Sequence, residues 1–224
     1  LEQARGFFPQ LTANRFHSLI THLSTKGLIR HERVGKTSQL YLSETGKKTL
    51  HALFPALDPS RRNWNGNWSC LVFQEAPKGD RAFRYLRRKL VELGALQLTR
   101  GVYLYPNKFP EVFLEQCSKL YAGAVLIVSI GSVQFGELRP IVLEKGNLST
   151  IIDLYSGISS EIDQLLAQID DDSLLTDQQK ELFTSLFDRY TAILREDIGL
   201  GTYFFPDETW GEETLQSLRS IVLL

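Results

Sequence analysis

The sequence predicts an α+β protein in three parts: an N-terminal winged helix-turn-helix, a central ferredoxin-like domain and a helical C-terminal domain. Three observations predict it. A 3.6-period apolar stripe near the front is followed by two short alternating segments around a Gly-Lys turn. From Trp68 onward, strand-like and helix-like segments succeed one another as β-α-β-β-α-β. The last third carries long helical periodicity. The boundaries this predicts are 1–62, 63–138 and 139–224.

At the front, "LEQARG" predicts a short helix stopped by Gly6. Thr12 is a good N-cap for a helix through "ANRFHSLITHLSTKG", in which Phe16, Leu19, Ile20 and Leu23 recur at i, i+3, i+4 and i+7. Gly27 ends it. "LIRHERV" and "SQLYL" alternate like two strands around "GKTS", and Ser43 starts a further helix, "ETGKKTLHALF". Helix, turn, helix, two-stranded wing, helix is the order of a winged helix-turn-helix.

A basic, turn-rich stretch, "ALDPSRR", then reads as a joint, and "NWNGNW" opens the next part. Gly66 would let the chain turn while Trp64 and Trp68 cover the edge of a new core. Beyond it, "SCLVF" is a strand and "GDRAFRYLRRKLVELG" a helix with Phe83, Leu86, Leu90 and Leu93 on one side. "ALQLTR" and "GVYLYP" are strands, "PEVFLEQCSKLY" a helix and "AGAVLIVSI" a strand. In the last third, "NLSTIIDLYSGISSEIDQLLAQI" and "DQQKELFTSLFDRYTAILRED" are helical, separated by the loop "DDDS". A Gly/Pro/aromatic corner, "GLGTYFFPDETWG", precedes a final helix, "EETLQSLRSIVLL".

Composition is that of an ordinary soluble globular protein, with 43% hydrophobic and 23% charged residues. The apolar runs "AVLIV" and "SIVLL" are too short to span a bilayer, so no membrane association is expected. The chain opens at Leu1 and contains no Met, which predicts that residues precede it. Cys70 and Cys117 are isolated, with no Cys-x-x-Cys, which points to a reducing cytoplasm. The net charge of −1 conceals an asymmetry. Residues 1–110 carry 18 Lys and Arg against 7 Asp and Glu, and residues 111–224 carry 7 against 19. A basic front half suits a polyanionic partner.

Three stretches then look like one family: "LSTKGLIRHERVGKTSQLYLSETGKKTL", "WNGNWSCLVF…RYLRRKLVELGALQLTRGVYLYP" and "FDRYTAILREDIGLGTYFFPDETWG". Together they resemble the PaaX-like (phenylacetic acid catabolism repressor) family of bacterial transcriptional regulators. The resemblance implies a winged-helix reader, a middle domain similar to the CRISPR-associated ferredoxin-like nuclease fold, and a helical C-terminal domain. It also implies a homodimer that represses catabolic genes until a coenzyme A thioester binds. The chain departs from the family at two places. It is short at the front, and it has "REDIGLGTYFFP" where the family shows a tighter Asp-Pro-x-Leu-Pro segment, which leaves the effector open.

DNA reading needs polar side chains on the outer face of the second helix. With Phe16, Leu19, Ile20 and Leu23 inside, that face carries Asn14, Ser18, Thr21 and Thr25, flanked by Arg15, His17 and His22. Asn suits the adenine edge, and Arg suits guanine or a phosphate. In the wing, Arg30, Arg33 and Lys36 would sit on the phosphate backbone. The expected DNA-binding residues are therefore Asn14, Arg15, His17, Ser18, Thr21, His22, Arg30, Arg33 and Lys36.

Other chemistries find little support. "VGKTS" is no phosphate loop, because Arg30 stands where the first glycine is required. His17, His22, His31 and His51 lack ligand spacing, so no metal is expected, and no Gly-x-Ser-x-Gly elbow occurs. The sharpest rival is a metal-dependent nuclease. Its relatives hold an Asp just after the first central strand, where this chain has Gln74 and Glu75. A lone Glu75 makes a weak Mg²⁺ site. A nucleic-acid or protein adaptor without effector is the second alternative. The basic helix "DRAFRYLRRKL" either extends a DNA surface or pairs with the acidic C-terminal third.

The expectation is thus a cytoplasmic, non-enzymatic regulator without cofactor, most simply a repressor. It would bind a palindromic double-stranded operator as a homodimer and be released by a small acidic, acyl-CoA-type effector. Dimerisation is expected beyond residue 63, through the central sheet and the stripe Leu182, Phe183, Leu186, Phe187 and Tyr190.

Overall fold

The computed structural model describes residues 5, 8, 10–34, 37–74, 81–169 and 175–223. They form two compact units, the first from residues 1–57, 152–196 and 209–224, the second from 58–151 and 197–208.

In the first unit, α1 (Ala13–Thr25) begins at Thr12, whose hydroxyl accepts the Arg15 N–H at 3.4 Å. This satisfies one of the donors that every helix start leaves open. Phe16 and Ile20 are buried and Leu19 and Leu23 half-buried, so the apolar stripe faces inward as its spacing predicts. Strands β1 (Ile29–Val34) and β2 (Thr37–Leu42) form an antiparallel hairpin with Ile29 opposite Leu42 and Val34 opposite Thr37. Helix α2 (Glu44–Leu53) starts at Ser43, whose Oγ accepts the Gly46 N–H at 2.9 Å. Gly46 is required there. A Cβ built on it would lie 1.9 Å from the Leu28 carbonyl oxygen, so the helix meets the Leu28 backbone directly. A 3-10 turn, Pro55–Leu57, closes this part. Apart from Arg5, the helix expected in the opening residues lies outside the described residues, as does the hairpin tip at 35–36.

The second unit opens with the short helix α3 (Pro59–Arg62), capped by Asp58. Within it, Arg61 is buried rather than solvated. Its guanidinium donates to the carbonyls of Leu93 at 2.7 Å and Ile198 at 3.3 Å, and stacks over the Tyr105 ring at 4.6 Å. Gly66, at φ 84°, turns the chain, and the Trp64 and Trp68 indoles meet edge to face at 4.5 Å, both buried. Trp64 Nε1 donates to the Asn67 carbonyl, fixing the turn.

There follow β3 (Trp68–Phe73), α4 (Arg81–Glu92), β4 (Leu96–Thr99), β5 (Val102–Pro106), α5 (Glu111–Leu120) and β6 (Val125–Ile130). The strands pair antiparallel in the order β4-β5-β3-β6. Both helices share one core with the sheet: Phe83, Leu86 and Leu90 of α4 and Phe113 and Cys117 of α5 pack with Leu71 and Tyr103. The β-α-β-β-α-β order follows the sequence reading throughout. Cys70 and Cys117 are buried free thiols, and burial pushes the Cys117 thiol up to about 11.

A helix that the periodicity did not announce, α6 (Leu138–Lys145), follows. Pro140 obscured it, yet a proline in the first turn removes no needed N–H. Helix α7 (Leu148–Leu166) starts in the second unit and continues in the first, where α8 (Asp177–Glu196) and, after the short α9 (Gly201–Phe204) of the second unit, α10 (Gly211–Leu223) complete the fold. The loop "DDDS" lies outside the described residues.

The core of the first unit runs as a chain of rings. Phe16 meets Phe8 at 6.0 Å, Phe8 meets Phe187 at 6.5 Å, and Phe187 meets Tyr190 at 6.2 Å. Tyr190 then meets Tyr155 at 6.5 Å, and Tyr155 meets Trp210 at 6.2 Å.

Candidate nucleic-acid interface

On α1, burying Phe16 and Ile20 turns Asn14, Arg15, His17, Ser18, Thr21 and His22 to solvent, and all six are exposed. The hydroxyls on this face are already engaged. Ser18 donates to the Asn14 carbonyl at 2.9 Å, Thr21 to His17 at 3.0 Å and Thr25 to Thr21 at 2.9 Å. With their protons turned back onto the helix, these oxygens offer lone pairs outward, suited to amino donors on base edges. Asn14 adds both a donor and an acceptor, and Arg15 a fixed cation. The sequence pattern alone does not reveal this back-bonding, because Ser and Thr choose between helix carbonyls and solvent.

The hairpin presents a more compensated picture. Arg30 stays 64% exposed along its side chain, with Nη2 3.2 Å from Glu32 Oε1 and its guanidinium 5.8 Å from the Tyr41 ring centre. The signal was in the sequence. A strand's period of two puts Arg30 and Glu32 on one face, and hairpin register sets Tyr41 opposite Arg30. The Arg33 side chain and Lys36 lie outside the described residues.

A second basic surface lies on α4, where Arg81, Arg84 and Arg88 are exposed. Lys89 Nζ donates to Glu92 Oε2 at 2.6 Å and Arg88 Nε lies 3.5 Å from Glu92 Oε1. These cations hold the Glu92 carboxyl below its ordinary value, and Glu92 in turn raises the Lys89 ammonium.

For the nuclease alternative, Gln74 is exposed and its backbone N–H donates to the Ala124 carbonyl at 2.9 Å, while Glu75 lies outside the described residues. Among the described residues no three His, Cys, Asp or Glu come together as a metal site, and no helix is long and apolar enough to cross a membrane. Of the stripe expected to serve a dimer, Phe183, Leu186 and Tyr190 are buried in their own unit, Phe187 is half-buried and Leu182 is exposed.

A four-stranded antiparallel sheet ordered β4-β5-β3-β6, with both helices in one core, defines the second unit as a ferredoxin-like domain. Residues 61–139 match the family model described as the PaaX protein central Cas2-like domain. No curated protein matches the chain. Among solved structures it resembles the uncharacterized protein Rv0674 from Mycobacterium tuberculosis, with a TM-score of 0.50 at 16% identity. That likeness covers 95% of this chain and 81% of the other, and it is one of fold. Residues 61–139 are thus similar to the central domain of PaaX proteins.

Proposed function

We propose that this chain is a DNA-binding transcriptional regulator of the PaaX type, a cytoplasmic repressor that holds a palindromic operator as a homodimer. A small acidic effector of the acyl-coenzyme A type would release it. The family match over residues 61–139 carries the regulatory class. The exposed polar face of α1 supports the DNA contact. Asn14, Arg15, His17, Ser18, Thr21 and His22 are the side chains assigned to bases and flanking phosphates, and Arg30, Arg33 and Lys36 those assigned to the backbone. In this reading residues 1–62 are the winged helix-turn-helix, 63–138 the central domain and 139–224 the helical domain.

The mechanism is mechanical rather than chemical. One reading helix contacts only a few base pairs, so high specificity needs two half-sites, about 34–36 Å apart or a multiple of that. An effector that changes the separation of two reading helices then changes operator affinity without any covalent step.

Footprinting on the DNA upstream of the protein's own coding region tests this, with and without candidate acyl-coenzyme A thioesters. Two protected half-sites, lost when a thioester is added, are expected. Equal binding to operator and random DNA under all conditions would overturn the proposal.

A further inference from the structure

Helix α4 carries its charge on one side. Phe83, Leu86 and Leu90 point into the central core, while Arg81, Arg84, Tyr85, Arg88 and Glu92 are spaced around the opposite face. A helix start bears partial positive charge and favours acids in its first turn. The first turn of α4 has no acid and includes Arg81 and Arg84. Arg84 and Arg88 stand four apart, on neighbouring turns of the exposed face. The helix's one acid, Glu92, sits at the far end and is shared by Arg88 and Lys89. Over residues 78–92 the sequence sets six Lys and Arg against Asp80 and Glu92.

A face with more cations than acids favours an anionic ligand. The side chains here also narrow the ligand. Arg88 keeps 68% of its side chain exposed, and Tyr85 lies under both Arg88 and Lys89, with 5.5 Å and 5.8 Å to the ring centre. Arg, Lys and Tyr are side chains that grip phosphate and sugar. Along the helix, Arg81, Arg84 and Arg88 spread over about 10 Å in one line, which suits a run of phosphates better than a single small anion. The outer face offers no Asn or Gln with which to pair an adenine edge.

We propose that the outer face of α4 is a second DNA surface, which holds the phosphate backbone of duplex DNA without reading its sequence. It rests on the DNA-binding function proposed above. Its contribution is electrostatic and works by release of condensed counterions, so it acts on operator and random DNA alike.

The test uses the full chain in anisotropy titrations against operator and random duplexes of one length over a series of salt concentrations. Wild type is compared with Arg81→Gln/Arg84→Gln/Arg88→Gln and with the corresponding triple lysine variant. In the glutamine variant the slope of log affinity against log salt should fall by about 2–3 units. Affinity for both duplexes should drop by the same factor, and the lysine variant should keep the wild-type slope. If the triple variant fails to fold, Arg81→Gln alone should lower the slope by about one unit. An unchanged slope in variants that still bind DNA overturns this surface and leaves the regulator intact. An unchanged slope with a lowered melting temperature overturns it too, by showing the arginines paired with the chain's own acids. A wild-type protein that binds neither duplex overturns both proposals.

Discussion

Helices α1 and α4 are nearly equal in length, 13 and 12 residues, and each buries one apolar stripe, yet their outer faces are opposites. On α1, Asn14, Ser18, Thr21 and Thr25 are short, and three of them are tied back to helix carbonyls. On α4 the outer side chains are long cations. Short polar groups held close to a backbone have direction and little reach, whereas long cations have reach and little direction. The supports differ as well. α1 buries only Phe16 and Ile20 fully, while α4 sinks Phe83, Leu86 and Leu90 into the central core. Under the proposed function, specificity and bulk affinity for DNA would fall to different helices of one chain.

The largest test removes the support of α4. Leu90 is fully buried, and Leu90→Ala should cost about 2–5 kcal/mol in a denaturant titration, through lost transfer energy and the cavity left behind. A cost under about 1 kcal/mol would mean that α4 is not anchored as its burial indicates. On the α1 side, the matching test is Gly46→Ala. Alanine ordinarily gains about 1 kcal/mol over glycine inside a helix. Here its Cβ would collide with the Leu28 carbonyl, so a net loss of about 1–3 kcal/mol is expected. A stabilised variant would show that α2 does not pack on Leu28.

Smaller effects sharpen the contrast between the faces. Asn14→Ala should cost about 1–3 kcal/mol at the operator and little on random DNA. Equal losses on both would give α1 the same role as α4. The smallest effect is electrostatic. Glu92 has a depressed folded pKa, so its stabilising contribution is present above its ordinary value of 4.5 and is lost as pH falls through the lower folded value. Melting curves of wild type and Glu92→Gln should therefore differ at about pH 6 and converge toward about pH 3. A gap that widens on acidification would assign the depressed pKa to the wrong partners.

How much of this was legible in the sequence depended on how local the cause was. The 3.6 spacing of Phe83, Leu86 and Leu90 and the short apolar runs of β3 to β6 announce the central fold, because burial follows directly from pattern. Trp64 and Trp68 meet across Gly66 as their spacing suggests. Arg61 is different. In sequence it belongs to a basic joint, and only the tertiary path that brings Leu93 and Ile198 to it makes it a buried tie. Helix α6 was hidden by Pro140. The outer face of α1 was legible residue by residue, but not the turning of its hydroxyl protons. The stripe from Phe183 to Tyr190 looked spare in sequence because nothing local shows that Phe8, Tyr155 and Trp210 would cover it.

The ring-to-ring chain from Phe16 through Phe8, Phe187, Tyr190 and Tyr155 to Trp210 sets a schedule for the birth of the molecule. At about 5–20 residues per second of synthesis, Trp210 leaves the ribosome about 10–40 s after Phe16. The central domain has its strands and both helices within one continuous stretch, so it can close long before that. Phe16 meets Phe8 early, but the ring chain beyond Phe8 must wait for Phe187, Tyr190 and Trp210, which emerge late. A chain cut short before Trp210 thus carries a formed central sheet and an unfinished ring chain in the first unit.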